Sequence, residues 1–374
     1  MTAAPVRIFV SAGEPSGDLH GAGVVEALRR RYPDAKIDGF GGPAMSAAGA
    51  TVLFPMEEYS AMGLVEVIES LPAHIRLLRT LRKRFMEQRY DLVLLIDYPG
   101  FHLRLAASAH ASGARVLYYI PPQLWAWRPG RARYLRGVVD RLAVILPFEQ
   151  DAFRQLGLAA EFVGHPLVDH TPGPGHRAGA RAELGLPAEA RVLAIFPGSR
   201  RQEVRKHWPR FRDAALLMLE EGRCDRVIMA ATPVGEYPDP GPIEILRGNP
   251  MTVLSAADAV LAKSGTTTLQ AALADTPMVV AYRTHPWTYQ IAKRLLRVRW
   301  ISLVNLIAGR DVVPELQQNA VTVPRLVEEL RPLLDPADPR TRAQRAGMEL
   351  VRTRLGSPGA AGRVVAIAAE LIGK

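Results

Sequence analysis

Short runs of apolar, often β-branched residues alternate with longer helical patterns along nearly the whole chain. This alternation is typical of parallel β-α-β units, in which helices cover both faces of a sheet. The sequence therefore predicts an α/β fold built from doubly wound, Rossmann-like parallel sheets. The predicted strands are 6–11, 36–40, 92–96, 116–120, 142–146 and 162–163 in the first half, and 192–196, 226–230, 259–262 and 278–281 in the second.

A segment rich in proline and glycine, residues 170–190, separates these two halves. A chain of 374 residues is long enough for about two domains. We therefore predict a first domain over 1–169, a hinge over 170–190 and a second domain over 191–345. Residues 346–374 are predicted to be helical and to pack back on the first domain. In such sheets ligands bind beyond the carboxyl ends of the strands, so the two domains are expected to face each other across a binding cleft.

The charge balance points to an anionic partner. Lys and Arg total 47 against 37 for Asp and Glu, a formal net charge of +10. Such an excess favours nucleic acid, acidic lipid or a phosphorylated ligand. No recognisable nucleic-acid-binding module is present, so we expect no nucleic-acid partner.

The single cysteine, Cys224, excludes an internal disulfide framework and any multi-thiolate metal site. The N-terminal residues lack the pattern of a signal peptide, and no uncharged apolar run reaches the roughly 18 residues that cross a bilayer. We therefore expect a cytoplasmic protein in a reducing compartment, with only peripheral membrane contact.

Two groups of polar residues follow predicted strands of the first domain. Residues 13–21 carry glycines four apart and crowd Glu14, Ser16 and Asp18 into the start of a helix. The glycines alone fit a tight turn equally well, whereas the polar side chains favour a binding site. Asp97 directly follows the strand 92–96, where a carboxylate can be held rigidly as a general base or can simply form a turn.

Two turns in the second domain are suited to anions. Ser199 and Arg200 follow the strand 192–196 and open a helix, and residues 263–268, KSGTTT, repeat this arrangement after the strand 259–262. Free backbone N–H groups, hydroxyls and a fixed positive charge together favour a diphosphate. A solvated arginine at a helix start is the alternative for Arg200.

Several motifs are absent from the sequence. It contains no GxGxxG, no GxxxxGK[ST], no GxSxG and no HExxH. These absences argue against a dinucleotide site, a P-loop, a serine-hydrolase elbow and a zinc-protease site. There is also no Asp-x-Asp, so a bound diphosphate would be stabilised by arginine, backbone N–H groups and helix dipoles, without a metal or another cofactor.

Basic residues concentrate in two runs, each beside apolar or aromatic side chains. Such faces are suited to anionic lipid, and each is equally compatible with an ordinary amphipathic helix whose charges are solvated. The first run is Arg76, Arg79, Arg82, Lys83 and Arg84, interleaved with Ile75, Leu78, Leu81 and Phe85; the second is Arg283, Lys293, Arg294, Arg297 and Arg299, near Trp287.

Seven motifs stand in an order that resembles the lipid-A-disaccharide synthase family, over residues 9–318. They are GEPSG at 13–17, IDYP at 96–99, PQLWAW at 122–127, LPFE at 146–149, FVGHPL at 162–167, PGSR at 197–200 and SGT at 264–266. The resemblance implies a GT-B fold and an inverting, metal-independent glycosyltransferase. It implies that UDP-2,3-diacylglucosamine donates its sugar to 2,3-diacylglucosamine 1-phosphate, giving a β-1,6-linked disaccharide phosphate and UDP.

The resemblance also assigns roles to individual residues. Asp97 is similar to the general base on the acceptor 6-hydroxyl, and Glu14, Ser16 and Asp18 are similar to acceptor-side residues of the first domain. The second domain is implied to bind the UDP-sugar. Its donor-side residues are Ser199, Arg200, Glu203, Ser264, Gly265, Thr266, Gln270, Tyr282, Asn305 and Glu315.

The chain departs from the family at several of these motifs. Gln270 stands where the family commonly has a Glu that meets the ribose hydroxyls, and an amide can still bond to a diol. Pro15, Gly100 and His102 are further departures, and the segment 224–251 is short for the family.

Two other functions remain open on the sequence. One is a UDP-sugar 2-epimerase of the same architecture, and the other is a non-catalytic lipid or nucleotide binder. The synthase interpretation implies peripheral contact with the anionic inner face of the cytoplasmic membrane, and either a monomer or a homodimer is compatible with the sequence.

Overall fold

The computed structural model describes residues 5–59, 64–127, 130–287, 289–290 and 299–373. Contacts between residues divide the chain into two compact units. Unit 1 comprises residues 1–169 and 357–374, and unit 2 comprises residues 170–356. Each unit is built on one parallel sheet, which confirms the predicted α/β class.

The sheet of unit 1 has seven parallel strands in the order β3-β2-β1-β4-β5-β6-β7. All five residues of β4 are buried, because helices cover both faces of a parallel sheet. The ends of β1, β4 and β5 lie side by side, since Ile96 pairs with Ala12 on one side and with Tyr119 on the other. The strands are β1 Arg7–Ala12, β2 Lys36–Gly41, β3 Thr51–Pro55, β4 Leu92–Ile96, β5 Arg115–Tyr119, β6 Arg141–Val144 and β7 Ala160–Phe162.

Helices cover the sheet of unit 1 on both faces and enclose two apolar cores. One core contains Phe9, Leu81 and Phe85, and the other contains Leu28 and Val364. The helices are α1 Pro15–Arg31, α2 Pro43–Ala47, α3 Leu64–Gln88, α4 Pro99–Ala111, α5 Leu124–Trp127, α6 Gly130–Arg136, α7 Glu149–Gln155, α8 Leu167–His170 and, in numerical order after unit 2, α16 Ala360–Ile372.

The C-terminal helix α16 belongs to unit 1 and packs against α1. Its first turn is fixed by Asp169, whose carboxylate accepts the backbone N–H groups of Gly359 (2.5 Å) and Ala360 (3.3 Å). Arg363 donates from Nε to the carbonyl of Val163 at 2.8 Å. Helix α16 therefore contributes to the same apolar core as β1 and α1.

The sheet of unit 2 has six parallel strands in the order β10-β9-β8-β11-β12-β13. Neighbouring β8 and β11 end together, with Phe196 opposite Ala262. The strands are β8 Val192–Phe196, β9 Arg226–Ala231, β10 Glu244–Arg247, β11 Ala259–Lys263, β12 Met278–Tyr282 and β13 Glu315–Gln317, and the helices are α9 Arg177–Glu183, α10 Arg201–Glu220, α11 Pro250–Ala256, α12 Thr266–Leu273, α13 Leu303–Ala308, α14 Val323–Leu330 and α15 Pro339–Arg354.

The structure contains three strands that the sequence did not predict. The strands β3, β10 and β13 were not predicted, because they lie at sheet edges and are mostly half-buried or exposed, so they lack the continuous apolar run of a buried parallel strand. Residues 170–190, predicted to be a hinge, lie within unit 2 and include α9. The reason is Arg181, which is buried and donates to the carbonyls of Ala256 and Pro187.

Within the described part of the chain, no helix combines the length and the apolar character that a membrane span requires.

Candidate functional site

Asp97 lies at the carboxyl edge of the sheet in unit 1, immediately after β4. Its φ is +52° and that of Tyr98 is +48°, a left-handed conformation that non-glycine residues rarely adopt. Its backbone carbonyl accepts hydrogen bonds from His102 Nδ1 at 2.7 Å and from the Tyr118 hydroxyl at 2.9 Å. The backbone N–H of Asp97 donates to the carbonyl of Tyr119 at 3.0 Å. The backbone is therefore fixed at both its polar groups, and the half-buried carboxyl extends from a rigid turn.

His102 is a positioning residue that the sequence analysis did not identify as such. It is fully buried, and burial lowers its pKa to about 4, so the ring is neutral near pH 7. With Nδ1–H donating to Asp97, Nε2 accepts from the Ser11 hydroxyl at 2.7 Å. The imidazole thus links β1 to the turn that carries Asp97.

The environment of the Asp97 carboxyl favours its neutral form more than water does. Burial first, and then the nearby charge of Glu14, raise the pKa of Asp97, while a hydrogen bond from the Tyr98 backbone opposes this shift. A raised pKa is typical of a general base, because a stronger base removes a proton more readily. The structure thus brings Asp97 and Glu14 into one electrostatic neighbourhood.

Two further contacts fix the turn around Asp97. The hydroxyl of Tyr98 lies 2.5 Å from Nε2 of His74 on α3. A Cβ atom at Gly13 would lie 2.3 Å from the Tyr98 ring, so only glycine fits at this position. Gly13 is therefore required because the Tyr98 ring, on the turn after β4, occupies the space that a side chain would need.

The three candidate acceptor-side residues have different environments. Glu14 and Ser16 are exposed at the start of α1, next to the strand that ends beside Asp97. Asp18 is buried, and its carboxylate accepts the backbone N–H groups of Gly42 (2.8 Å), Ala44 (2.9 Å) and Met45 (3.1 Å). The structure therefore gives Asp18 a positioning role at the start of α2.

Glu149, in the LPFE motif, is a second buried carboxylate that binds loop donors. Its oxygens accept the indole N–H of Trp125 at 3.1 Å and the backbone N–H of Leu146 at 3.1 Å. Trp125 also packs edge-on against Phe148, with ring centroids 4.9 Å apart. These contacts tie the loop after β5 to the loop after β6. Burial raises the pKa of Glu149 to about 7 although the hydrogen bonds from Leu146, Trp125 and Ile145 oppose the shift.

In unit 2, Ser199, Arg200 and Glu203 form the turn between β8 and α10. Glu203 Oε2 accepts the backbone N–H of Ser199 at 3.0 Å and that of Arg200 at 3.4 Å, as in a capping box. Glu203 Oε1 accepts from Lys263 Nζ at 2.9 Å. Burial opposes ionisation of Glu203, but Lys263 and the two N–H groups outweigh it and lower the pKa of this carboxyl.

The side chain of Arg200 is 82% exposed, which leaves its guanidinium accessible to a ligand. Gly198 has a φ of +136°, and a Cβ atom there would lie 2.5 Å from Cβ of Glu203. The turn therefore needs glycine both for its backbone conformation and for its close approach to the helix.

His207 joins this turn to Tyr282 at the end of β12. Its Nδ1 donates to the carbonyl of Glu203 at 2.8 Å, and its Nε2 accepts the backbone N–H of Arg283 at 2.9 Å. Burial lowers the pKa of His207 to about 4, so the neutral tautomer makes both bonds. Lys263 Nζ lies 5.8 Å from the centroid of the Tyr282 ring. His207 was not identified from the sequence, and Lys263 was named only as the first residue of the turn 263–268.

Ser264, Gly265 and Thr266 form the second turn of unit 2, between β11 and α12. The Ser264 hydroxyl donates to the carbonyl of Ile301 at 2.8 Å. Thr266 is exposed at the first position of α12, and half-buried Gln270 lies one turn further along the same helix. The two residues are four apart and hence share one face of α12.

Asn305 and Glu315 fix the segments on either side of α13. Asn305 is buried, and its Oδ1 accepts the backbone N–H groups of Val312 (2.8 Å) and Val313 (2.9 Å). Its Nδ2 donates to Glu315 Oε1 at 2.9 Å. Burial is the main reason that the pKa of Glu315 is raised. Asn305 therefore fixes the loop after α13, whereas Glu315 accepts the backbone N–H groups of Ile301 and Ser302 (2.9 Å each) and fixes the segment before α13, to which Ser264 is also bonded.

No group of three or more His, Cys, Asp or Glu side chains is arranged to hold a metal ion among the residues that the structure covers.

Comparison with known proteins gives a consistent result over nearly the whole chain. A family model described as lipid-A-disaccharide synthetase matches residues 8–357. The lipid-A-disaccharide synthase of Myxococcus xanthus is 40% identical over 376 residues, which cover 98% of each chain. The lipid-A-disaccharide synthase of Pseudomonas aeruginosa is 42% identical over 339 residues, covering 88% of this chain and 90% of the relative.

Solved structures share the fold at low sequence identity. UDP-GlcNAc 2-epimerase from Neisseria meningitidis, bound to UDP-GlcNAc, superposes with a TM-score of 0.65 at 10% identity and covers 98% of this chain and 100% of its own. The glycotransferase of kitacinnamycin superposes with a TM-score of 0.61 at 18% identity and covers 98% and 99%. These neighbours place both units in the GT-B architecture.

We expect Glu149→Gln to change how stability depends on pH. From about pH 4.5 to about pH 7 the unfolded chain releases the Glu149 proton while the folded chain retains it, so the stability of the parent falls as pH rises through this window. The variant does not titrate at this position. Urea unfolding at about pH 5 and about pH 8 should show the parent losing up to about 3 kcal/mol relative to the variant.

The matched control is Glu189→Gln, because Glu189 is exposed. This control should follow the parent at both pH values. Parallel pH profiles for the parent and Glu149→Gln would contradict the proposed environment of this carboxyl.

Proposed function

The chain belongs to the lipid-A-disaccharide synthetase family, and from this premise we propose which of its residues carry the reaction. The protein is a glycosyltransferase of lipid A biosynthesis that joins UDP-2,3-diacylglucosamine to 2,3-diacylglucosamine 1-phosphate. The epimerase alternative has support only from solved structures of low identity, which establish the fold alone.

We propose that Asp97 is the general base. Its carboxylate takes the proton of the acceptor 6-hydroxyl as that oxygen attacks C1 of the donor sugar, the bond from C1 to the UDP oxygen breaks, and the configuration at C1 inverts. The observation that carries this assignment is the rigid left-handed turn, in which hydrogen bonds fix both backbone polar groups of Asp97. Its raised pKa supports the same role. Glu14 and Ser16, exposed beside this turn, are proposed to contact the acceptor.

We propose that unit 2 holds the UDP group. The exposed guanidinium of Arg200 and the hydroxyls of Ser199 and Thr266 are suited to the diphosphate, since arginine and helix N-termini stabilise anionic oxygens. Gln270 is proposed to meet the ribose. Asn305 and Glu315 would act indirectly, by holding the loop to which Ser264 is bonded.

We expect Asp97→Asn to reduce kcat by about 10² to 10⁴, because general-base catalysis typically contributes that much. UDP affinity should be unchanged, since the UDP group is assigned to unit 2. Disaccharide formation followed by mass spectrometry and UDP binding followed by calorimetry measure the two quantities.

Glu14→Gln provides a related test. Removal of the neighbouring charge lowers the pKa of Asp97, so the acidic limb of the profile of kcat against pH should move to lower pH.

Weakened UDP binding in Asp97→Asn would argue against this assignment. An unchanged turnover number would exclude Asp97 as the base.

We also propose that the transfer needs no metal. The leaving diphosphate would be stabilised by Arg200 and by backbone N–H groups at the start of α10. Activity should therefore persist in excess EDTA, measured with the same disaccharide assay. Loss of activity that Mg²⁺ or Mn²⁺ restores would overturn this proposal.

We propose that α3 contacts an anionic membrane surface at the inner face of the cytoplasmic membrane. Both substrates carry acyl chains, and one stripe of α3 exposes Leu71, Ile75 and Met86 together with Arg79 and Arg82.

The buried residues of α3 differ from the sequence expectation. Leu81 and Phe85, proposed from the sequence as part of the membrane-facing side, are fully buried in the core of unit 1. Leu78 packs against the same core, and Arg84 pairs with Asp38 at 2.8 Å.

The triple variant Arg79→Gln, Arg82→Gln and Lys83→Gln should release the protein from anionic vesicles while it remains folded. Each basic residue near such a surface contributes about 1 kcal/mol, so roughly 3 kcal/mol of attachment would be lost. Vesicle co-sedimentation at low and high salt measures the effect. The control is the same change of charge in unit 2, at exposed Arg205, Lys206 and Arg247.

Equal sedimentation of the α3 variant and the parent would move the proposed membrane surface away from α3. The second basic run is then the next candidate, with Trp287 74% exposed; Lys293, Arg294 and Arg297 of that run lie outside the described residues.

A further inference from the structure

Lys263 occupies an unusual position for a lysine. It is the last residue of β11, and only 16% of its side chain is exposed. Its ammonium group lies 2.9 Å from Glu203 Oε1, the one carboxylate within ion-pair distance of it among the described residues. A largely buried lysine is costly unless it is paired, so this contact compensates for the burial of the ammonium group.

Glu203 bridges two kinds of donor. One carboxylate oxygen accepts from Lys263, and the other accepts the backbone N–H groups of Ser199 and Arg200 at the start of α10. An ammonium group and free helix N–H groups are the donors that a phosphate group requires. Two oxygens of one phosphate group can bridge the same donors that two oxygens of the carboxylate bridge here.

The strands explain why these donors meet. β8 and β11 are neighbours, and Phe196 pairs with Ala262. Lys263, the last residue of β11, therefore lies level with Pro197, the first residue of the turn 197–200. A phosphate bound at the N–H of Ser199 would lie within reach of Lys263 Nζ.

We propose that Lys263 is a ligand of the donor diphosphate and that Glu203 occupies the position of that diphosphate in the free protein. This inference rests on the proposed UDP site of unit 2. When UDP binds, a phosphate replaces the Glu203 carboxylate at the Ser199 N–H and at Lys263. Glu203 then competes with the nucleotide for Lys263 and for the Ser199 N–H, and Lys263 contributes to diphosphate recognition.

Different results are expected if the ion pair between Lys263 and Glu203 is purely structural. If the pair only holds the turn in shape, its loss affects the binding of uridine and UDP alike, and removal of either partner weakens both. If Lys263 binds phosphate, its loss weakens UDP alone. Removal of the charge of Glu203 then has the opposite sign, because it frees the ammonium group and the N–H groups.

The experiment is calorimetric titration of the full chain with UDP and, separately, with uridine. In Lys263→Met we expect UDP to bind about 10- to 100-fold more weakly, the loss of one hydrogen bond to a charged group, with uridine unchanged. In Glu203→Gln we expect UDP to bind several-fold more tightly, again with uridine unchanged. The amide oxygen of Gln can still accept the Ser199 N–H, so the helix cap is kept.

Lys263→Met leaves a buried carboxylate without its cation, which can prevent folding. The double variant Lys263→Met and Glu203→Gln removes both charges, and its comparison with Glu203→Gln alone isolates the ammonium group. UDP should bind about 10- to 100-fold more weakly to the double variant. Lys206→Met, an exposed lysine of α10, is the control and should bind both ligands as the parent does.

Two results would overturn the inference while leaving the proposed function intact. One is equal UDP affinity in Glu203→Gln and the double variant, and the other is a parallel loss of uridine and UDP binding. If the parent itself does not bind UDP, the proposed donor site fails and this inference fails with it.

Discussion

The left-handed turn at Asp97 is the constraint on which the site of unit 1 depends. Two successive non-glycine residues with positive φ cost roughly 1–3 kcal/mol each, and such a conformation persists only where its surroundings determine it. Here the surroundings are Tyr118 and Tyr119 of β5 and His102 of α4, which bind the N–H and the carbonyl of Asp97. Each of these groups is held by an element that packs into the core. The position of the Asp97 carboxyl, the proposed general base, is therefore a consequence of the packing of the sheet.

Acidic side chains build the functional loops in both units. Asp18, Glu149, Glu203 and Glu315 each accept backbone N–H groups of a loop at the carboxyl edge of a sheet. Loops at this edge lack the hydrogen-bonding partners that strands and helices supply, and a buried N–H group without a partner is costly. A carboxylate offers two oxygens and therefore connects two donors from different elements. Three of these four residues were assigned to substrate from sequence, and the structure gives each of them a role in loop conformation.

The same property explains why Glu203 differs from the others. Its donors are Lys263 at the end of β11 and the backbone N–H groups at the start of α10, which are the groups proposed to bind the diphosphate. Under the proposed displacement of Glu203 by the nucleotide, the stability of the free protein and the affinity for the nucleotide are opposed at this position. Neutral His207 connects Glu203 to Arg283, the residue that follows β12.

The sequence by itself determined the fold class, the family and the loops that carry the candidate site residues. Alternating apolar runs identify parallel β-α-β units, and the ends of their strands mark the loops that carry Asp97, Ser199 and Ser264. The tertiary structure decided what each side chain in those loops contacts. Asp18 is bonded to residues 42–45 and Lys263 to Glu203, 60 positions away, and no local pattern encodes such pairs. It also decided which apolar residues of α3 are buried, because the periodicity of a helix shows that it has two faces, whereas the packing of the sheet selects the face that is covered.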